Sequence, residues 1–428
     1  MAGTYVTKVS VALAVLLVAS VLLNSCKEDP TLAILNTSPV TEVSTNSAKL
    51  SGNITSDGGA EVTARGFCWG TAPDPEITDN TLAAGTGPGE FSTTLSGLEP
   101  HTVYHVRAFA ENSVGIAYGN DVEFETSMAP PSVTTGQISN ITATTASCGG
   151  NVNYDGGAPI TARGVCWSTS PQPDLSDPHT NDGTVTGVFT SQMTNLASAT
   201  VYYVRAYASN ESWTVYGEEL SFRTKLVDIE GNLYNTVLIG TKLWMAENLR
   251  VTKLTDNTPI SNITDNTLWV GTSNPAYCWY DNNISFKPTY GALYNWYTVS
   301  TGELCPAGWH VPTDVEFNSL EITLGMASDQ SDVWGWRGTD HGYRMKNQTG
   351  WDDNGNGSNS SGFSALPGGY RFGVDGIFVL QTTITYWWTS SEHDSDRGWY
   401  RRLDSSSDQV YRASTSKKGG KYVRCVKD

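Results

Sequence analysis

The side chains best suited to chemistry lie in two polar stretches of the C-terminal half. Asp352-Asp353-Asn354-Gly355-Asn356-Gly357 sets oxygen donors at Asp352, Asn354 and Asn356, two residues apart, with a glycine in sixth place. That is the front half of a calcium-binding loop, in which a tight turn wraps carboxylate and amide oxygens round the ion. The twelfth position holds Phe363, where such a loop carries a bidentate Glu. Ca²⁺ is therefore a candidate cofactor, against the favoured reading of an ordinary Gly/Asn/Asp loop. The second stretch, Ser391 to Trp399, groups His393, Asp394 and Asp396 beside Trp399. With Trp351 and Asp353 these form a candidate ligand site. A ring can cover the apolar face of a pyranose, while polar groups take its hydroxyls directly or through Ca²⁺. The competing expectation for Trp399 is core, as for Trp387 and Trp388.

A third cluster is electrostatic. Residues 397–428 carry nine basic against three acidic side chains, among them Arg397, Arg401, Arg402, Arg412, Lys417, Lys418 and Lys421. The sharper reading is a site for an acidic glycan or a phosphate. The favoured one is edge strands kept soluble by charge. No HExxH, GxSxG, P-loop or CxxC motif occurs, so nothing points to catalysis. His310, between Trp309 and Val311, reads as structural.

These residues need a scaffold, and the clearest part of it begins at Cys305-Pro306-Ala307-Gly308-Trp309-His310-Val311-Pro312. Thr313 and Glu316 then form a capping box: the hydroxyl takes a free backbone N–H and the carboxylate reaches back to another. Phe317, Leu320 and Leu324 fall on one face and Gly325 closes the helix. Roughly twelve residues of helix are marginal alone, so that face must be buried.

The chain has 428 residues, 42 Gly, 14 Trp, 20 Tyr and only 16% charged residues, a mix that favours β-rich, loop-rich domains. Its net charge of −17 argues against nucleic acid as a partner. Near the N-terminus, Lys8 precedes an apolar run from Val9 to Leu23, too short to span a bilayer comfortably. It ends in Leu23-Asn24-Ser25-Cys26, which resembles a bacterial lipobox with Cys26 as the lipidated residue. Lys27-Glu28-Asp29 resembles the export signal of Bacteroidota surface lipoproteins. The resemblance implies a signal peptide at 1–25, a lipidated tether at 26–31, and attachment to the outer membrane with exposure at the cell surface.

Residues 32–128 and 129–225 are a duplication at a constant offset of 98. Thr63-Ala64-Arg65-Gly66-Phe67-Cys68-Trp69 recurs as Thr161-Ala162-Arg163-Gly164-Val165-Cys166-Trp167, and Val106-Arg107-Ala108-Phe109-Ala110 as Val204-Arg205-Ala206-Tyr207-Ala208. Short alternating strands with turn residues about every ten positions predict a β-sandwich in each. Leu98 to Tyr104, matched by Leu196 to Tyr202, resembles the tyrosine corner of fibronectin type III domains. Trp69 and Trp167 read as core. Cys148 stands where the first copy has Leu50, a buried apolar place, although a Cys148–Cys166 bridge is open.

From 226 onward the composition changes, and 11 of the 14 Trp lie between Trp244 and Trp399. Trp244-Met245-Ala246-Glu247-Asn248-Leu249, Gly291-Ala292-Leu293-Tyr294-Asn295-Trp296, Cys305 to Pro312, Gly362 to Arg371, Trp387-Trp388-Thr389-Ser390-Ser391-Glu392 and Val423-Arg424-Cys425-Val426 follow in order. Together they resemble the Fibrobacter succinogenes major paralogous domain over 226–428. That family is similar in turn to the C-type-lectin-like fold shared with formylglycine-generating enzymes; the copper-binding cysteine pair of those enzymes has no counterpart here. The expected fold is mostly β and multidomain: two tandem fibronectin type III-like sandwiches, then an α+β C-type-lectin-like domain. Cys305 and Cys425 are expected to be bridged, closing a loop of about 120 residues, against the alternative of two unrelated buried thiols. Cys278 is expected to be buried and unpaired. The expected function is a non-catalytic lipoprotein presenting a C-terminal, adhesin-like domain for a glycan or protein ligand on two spacers. A surface hydrolase acting on polysaccharide and a purely structural envelope protein are the alternatives.

Overall fold

A computed structural model describes residues 29–428. Cys26 and the signal-peptide stretch 1–25 lie outside the described residues. No helix among those described is long and apolar enough to cross a membrane.

Each copy of the duplication is a pair of antiparallel sheets closed on one core. In the first, Ile34–Thr37, Ser47–Ser56 and Gly89–Ser96 form one sheet. Asn80–Ala83, Ala64–Gly70, Val103–Asn112 and Gly115–Tyr118 form the other, with Val122–Glu125 also on Val103–Asn112. Leu50, Phe67, Phe91, Val106 and Ala108 meet between them, because alternate residues of a strand face the same side. The tyrosine corner forms twice. Tyr104 Oη accepts the Glu99 N–H at 3.0 Å, and Tyr202 Oη accepts the Ala197 N–H at 2.9 Å. The copies diverge at one edge. Pro178 stands where the first copy has Asn80, and a proline has no N–H for a ladder. The second copy keeps only a Cys166–His179 bridge there. Trp167 is buried and Trp69 packs against the core of its own copy. Cys148 and Cys166 are free and buried, their thiols directed at separate carbonyls, of Gly136 and of Pro173.

The C-terminal domain opens on a hairpin, Leu226–Val227 with Leu233–Tyr234. Its main sheet runs Gly335–Arg337, Ser407–Ser416, Arg397–Asp404, Ile384–Glu392. The helix Asp314–Thr323 carries the capping box: Thr313 Oγ1 accepts the Glu316 N–H at 3.2 Å and Glu316 accepts the Thr313 N–H at 2.9 Å. Phe317 and Leu320 are buried beneath it, Phe317 with its centroid 5.2 Å from that of Trp244. His310 donates from Nε2 to the Glu316 carboxylate at 2.9 Å and from Nδ1 to the Asp428 carboxylate at 2.5 Å, fastening Asp428 to the helix start. Cys305 and Cys425 are bridged, and Cys278 is buried and free.

The basic cluster is where the sequence reading fails. Arg397–Asp404 and Ser407–Ser416 are interior strands, and Arg401, Arg412, Lys417, Lys421 and Arg424 are buried. A loop-rich interior holds carbonyl groups with no ladder partner, and a guanidinium offers five donors to satisfy them. Arg371 shows the device: it donates to the carbonyls of Gly376, Ile263 and Thr264 at 2.6–3.0 Å and lies over the Trp269 ring. Arg424 does the same for Phe363 and Ser364. Arg371 and Arg424 thus hold loops together rather than coat an edge.

Candidate functional site

The two candidate loops are not neighbours. Trp351–Ser361 packs at the start of strand Ile384–Glu392, where Asp352 accepts from the Thr382 hydroxyl. Ser391–Trp399 continues from the end of that strand. Nine residues at about 3.3 Å each put roughly 25–30 Å between them.

The first loop is built inward. Trp351 is 4% exposed and its indole donates to the Ala365 carbonyl at 3.0 Å, so it is core and offers no ring to a ligand. Asn356 Oδ1 accepts the Trp351 N–H at 3.0 Å. Two of the three candidate metal donors, Asp352 and Asn356, are thus engaged within the protein, while Asn354 and Asp353 are exposed on left-handed backbone. Phe363, in the twelfth position, is fully buried against Trp244 and Trp387. Among the described residues no group of three or more His, Cys, Asp or Glu side chains could hold a metal ion.

The second loop is different. Asp394 accepts the backbone N–H groups of Asp396 at 3.0 Å and Arg397 at 2.9 Å, which closes the turn between the two strands. The Asp396 N–H above all, with His393 and Arg397 behind it, holds the Asp394 carboxyl below its usual range. Buried Lys417 pins the turn from beneath, donating to Glu392 and to the Ser395 carbonyl at 2.5 and 2.8 Å. Asp396 is exposed, and its carbonyl accepts the Lys417 N–H at 3.0 Å.

On this rigid turn His393 and Trp399 meet a third ring, Trp334, which comes from outside the loop. Trp334 and Trp399 centroids lie 4.7 Å apart, and His393 is 5.4 Å from the first and 5.0 Å from the second. The Arg412 guanidinium lies 3.9 Å from the Trp399 centroid and is fixed there by Asp314 at 2.6–3.1 Å. Trp399 is therefore a half-buried floor. Trp334 is 51% exposed and is the ring a ligand can reach. The sequence reading missed Trp334. Gly335, at φ +87°, redirects the chain so that Trp334 meets Trp399 while Trp336 pairs with Tyr411 on the next strand. A glycine between two tryptophans was the signal available.

The site thus offers one open indole, a second holding it in place, and His393, Asp394 and Arg397 around them. It can stack on an apolar sugar face and hydrogen-bond the hydroxyls at its rim. Residues 237–427, which include all of these side chains, match the family model described as the Fibrobacter succinogenes major domain. No curated protein matches the chain.

Proposed function

We propose that this protein is a non-catalytic, lipid-anchored surface protein of the outer membrane, whose C-terminal domain binds a saccharide at Trp334, Trp399 and His393. The observation that carries the reading is the half-exposed Trp334. Leaving half an indole in water forgoes part of the roughly 1.5–3 kcal/mol that full burial of a large apolar side chain contributes, and the neighbouring rings pack beside it instead of covering it. A rigid aromatic platform loses little entropy when a ligand settles on it. The similarity to the Fibrobacter succinogenes major domain fits a surface domain without catalytic machinery. The two sandwiches, each with its own core, suit a spacer role.

The test is a glycan array probed with the full chain, with and without Ca²⁺. Binding is expected to fall about tenfold in Trp334→Ala, equivalent to ~1.4 kcal/mol of lost contact, with the thermal midpoint little changed. Unchanged binding by Trp334→Ala would move the site elsewhere. The anchor has its own test: Cys26→Ser should leave the protein out of the detergent phase, and unaltered partitioning would refute it.

A further inference from the structure

The main sheet has a second functional-looking surface on its other face. Trp399 and Arg401 point to the helix side, so Tyr400 and Arg402 point away from it. On that outer face Trp336, Tyr411, Arg402 and Tyr386 stand opposite one another on four successive strands. Three strand spacings of ~4.8 Å make a row roughly 14 Å long. Tyr370 and Tyr400 extend it, with centroids 4.3 and 5.2 Å from that of Tyr386. Trp336, Tyr370, Tyr400, Tyr411 and Arg402 all remain partly open to solvent.

Two cations sit in this aromatic surface with incomplete partners. The Arg402 guanidinium lies 5.2–5.8 Å from the rings of Trp336, Tyr411 and Tyr386. It donates to Asp404 through Nη2, while its buried Nε has no partner. Lys421 is 2% exposed, with Nζ 4.4 Å from the Trp388 centroid and 5.0–5.3 Å from those of Tyr386, Tyr400 and Tyr370. Burial lowers its pKa to about 7, and no carboxylate or hydrogen bond offsets that. Burying an ammonium without a counter-ion is costly, and rings return only about 0.5–2 kcal/mol each. A methionine would fill the same box with no charge to desolvate. The four rings offset part of that cost but leave the charge without a counter-ion, and an anion arriving at the face would supply one.

We propose that this outer face is a second binding site, for an acidic oligosaccharide whose sugar rings lie on the aromatic row and whose carboxylates are taken by Arg402, with the buried Lys421 ammonium attracting them from beneath the rings. The row is long enough for several sugars, and its charge is opposite to that of the protein as a whole, which carries −17. The reading does not depend on the Trp334 site.

The experiment is calorimetric titration of the full chain at pH 6 with trigalacturonic acid and with its fully methyl-esterified form. The acid is expected to bind at least about tenfold more tightly than the ester. Arg402→Gln should weaken the acid by about tenfold, the loss of one charge-assisted contact, Lys421→Met should weaken it by a smaller factor, and Trp334→Ala should leave it unchanged. Lys421→Met should also melt higher than the wild type. Should that variant fail to fold, Arg402→Gln, at a partly exposed side chain, decides the matter alone. Equal affinity for acid and ester, no binding of the acid, or full binding by Arg402→Gln would overturn the proposal.

Discussion

Glu321→Ala is expected to lower the stability of the C-terminal domain by about 3–5 kcal/mol. Glu321 is fully buried in the third turn of the helix Asp314–Thr323. Its carboxylate accepts from Arg401 Nε at 2.9 Å and from Arg337 Nη2. The same Arg401 donates to Asp314 at 2.5 Å and to Asn318 at 2.7 Å, and Arg412 closes on Asp314 from the next strand. Two buried carboxylates thus face three buried guanidiniums. Such a network contributes little relative to well-packed hydrocarbon, but removing one acid leaves two cations buried with too few acceptors. Against a total stability of about 5–15 kcal/mol, that loss approaches unfolding. Denaturant melts of the full chain should show the C-terminal transition shifted and the sandwich transitions unmoved. A shift below about 1 kcal/mol would mean that water reaches the network.

Acid should act on the same point. For Asp314, burial would raise the pKa, but hydrogen bonds and charge from Arg412 and Arg401 outweigh it and lower the value below 3.8. A carboxyl with a depressed folded pKa adds stability that is present above its unfolded value and is lost as pH falls through the folded one. The contribution of Asp314 should therefore be lost below about pH 4, with Asp314→Asn reducing the acid sensitivity of the C-terminal transition.

The second large effect is at the disulfide. Opening the Cys305–Cys425 bridge, whose partners are 120 residues apart, is expected to cost about 4–5 kcal/mol in the chain-entropy account. The bond ties the segment leading into the helix to the segment leading into the last strand, Val426–Lys427, which pairs with both Lys242–Met245 and Trp309–His310. Reduction should lower the C-terminal melting transition and leave the sandwiches in place, since the cysteines described in them are free. A C-terminal transition indifferent to reductant would contradict the assignment.

What the sequence made legible was local or repeated. The offset of 98 exposed two sandwiches, and Tyr104 and Tyr202 stand in the same hydrogen bond in each. Thr313 and Glu316 announced a cap that depends on residues three apart. The illegible parts depend on partners far along the chain. Arg401 and Arg412 read as surface charge because their carboxylates, Asp314 and Glu321, lie on a helix 80 or more residues earlier. Trp351 and Trp399 were grouped by composition, and only strand Ile384–Glu392 reveals that it holds their loops apart. Trp334 joins Trp399 through a turn at Gly335 that no periodicity reports.

Saccharide binding at Trp334 is tested by an array of neutral saccharides probed side by side with wild type, Trp334→Ala and Arg402→Gln. Wild type and Arg402→Gln are expected to mark the same neutral sugars, and Trp334→Ala to lose them. Neutral-sugar binding retained by Trp334→Ala, or absent from the wild type, would contradict that site.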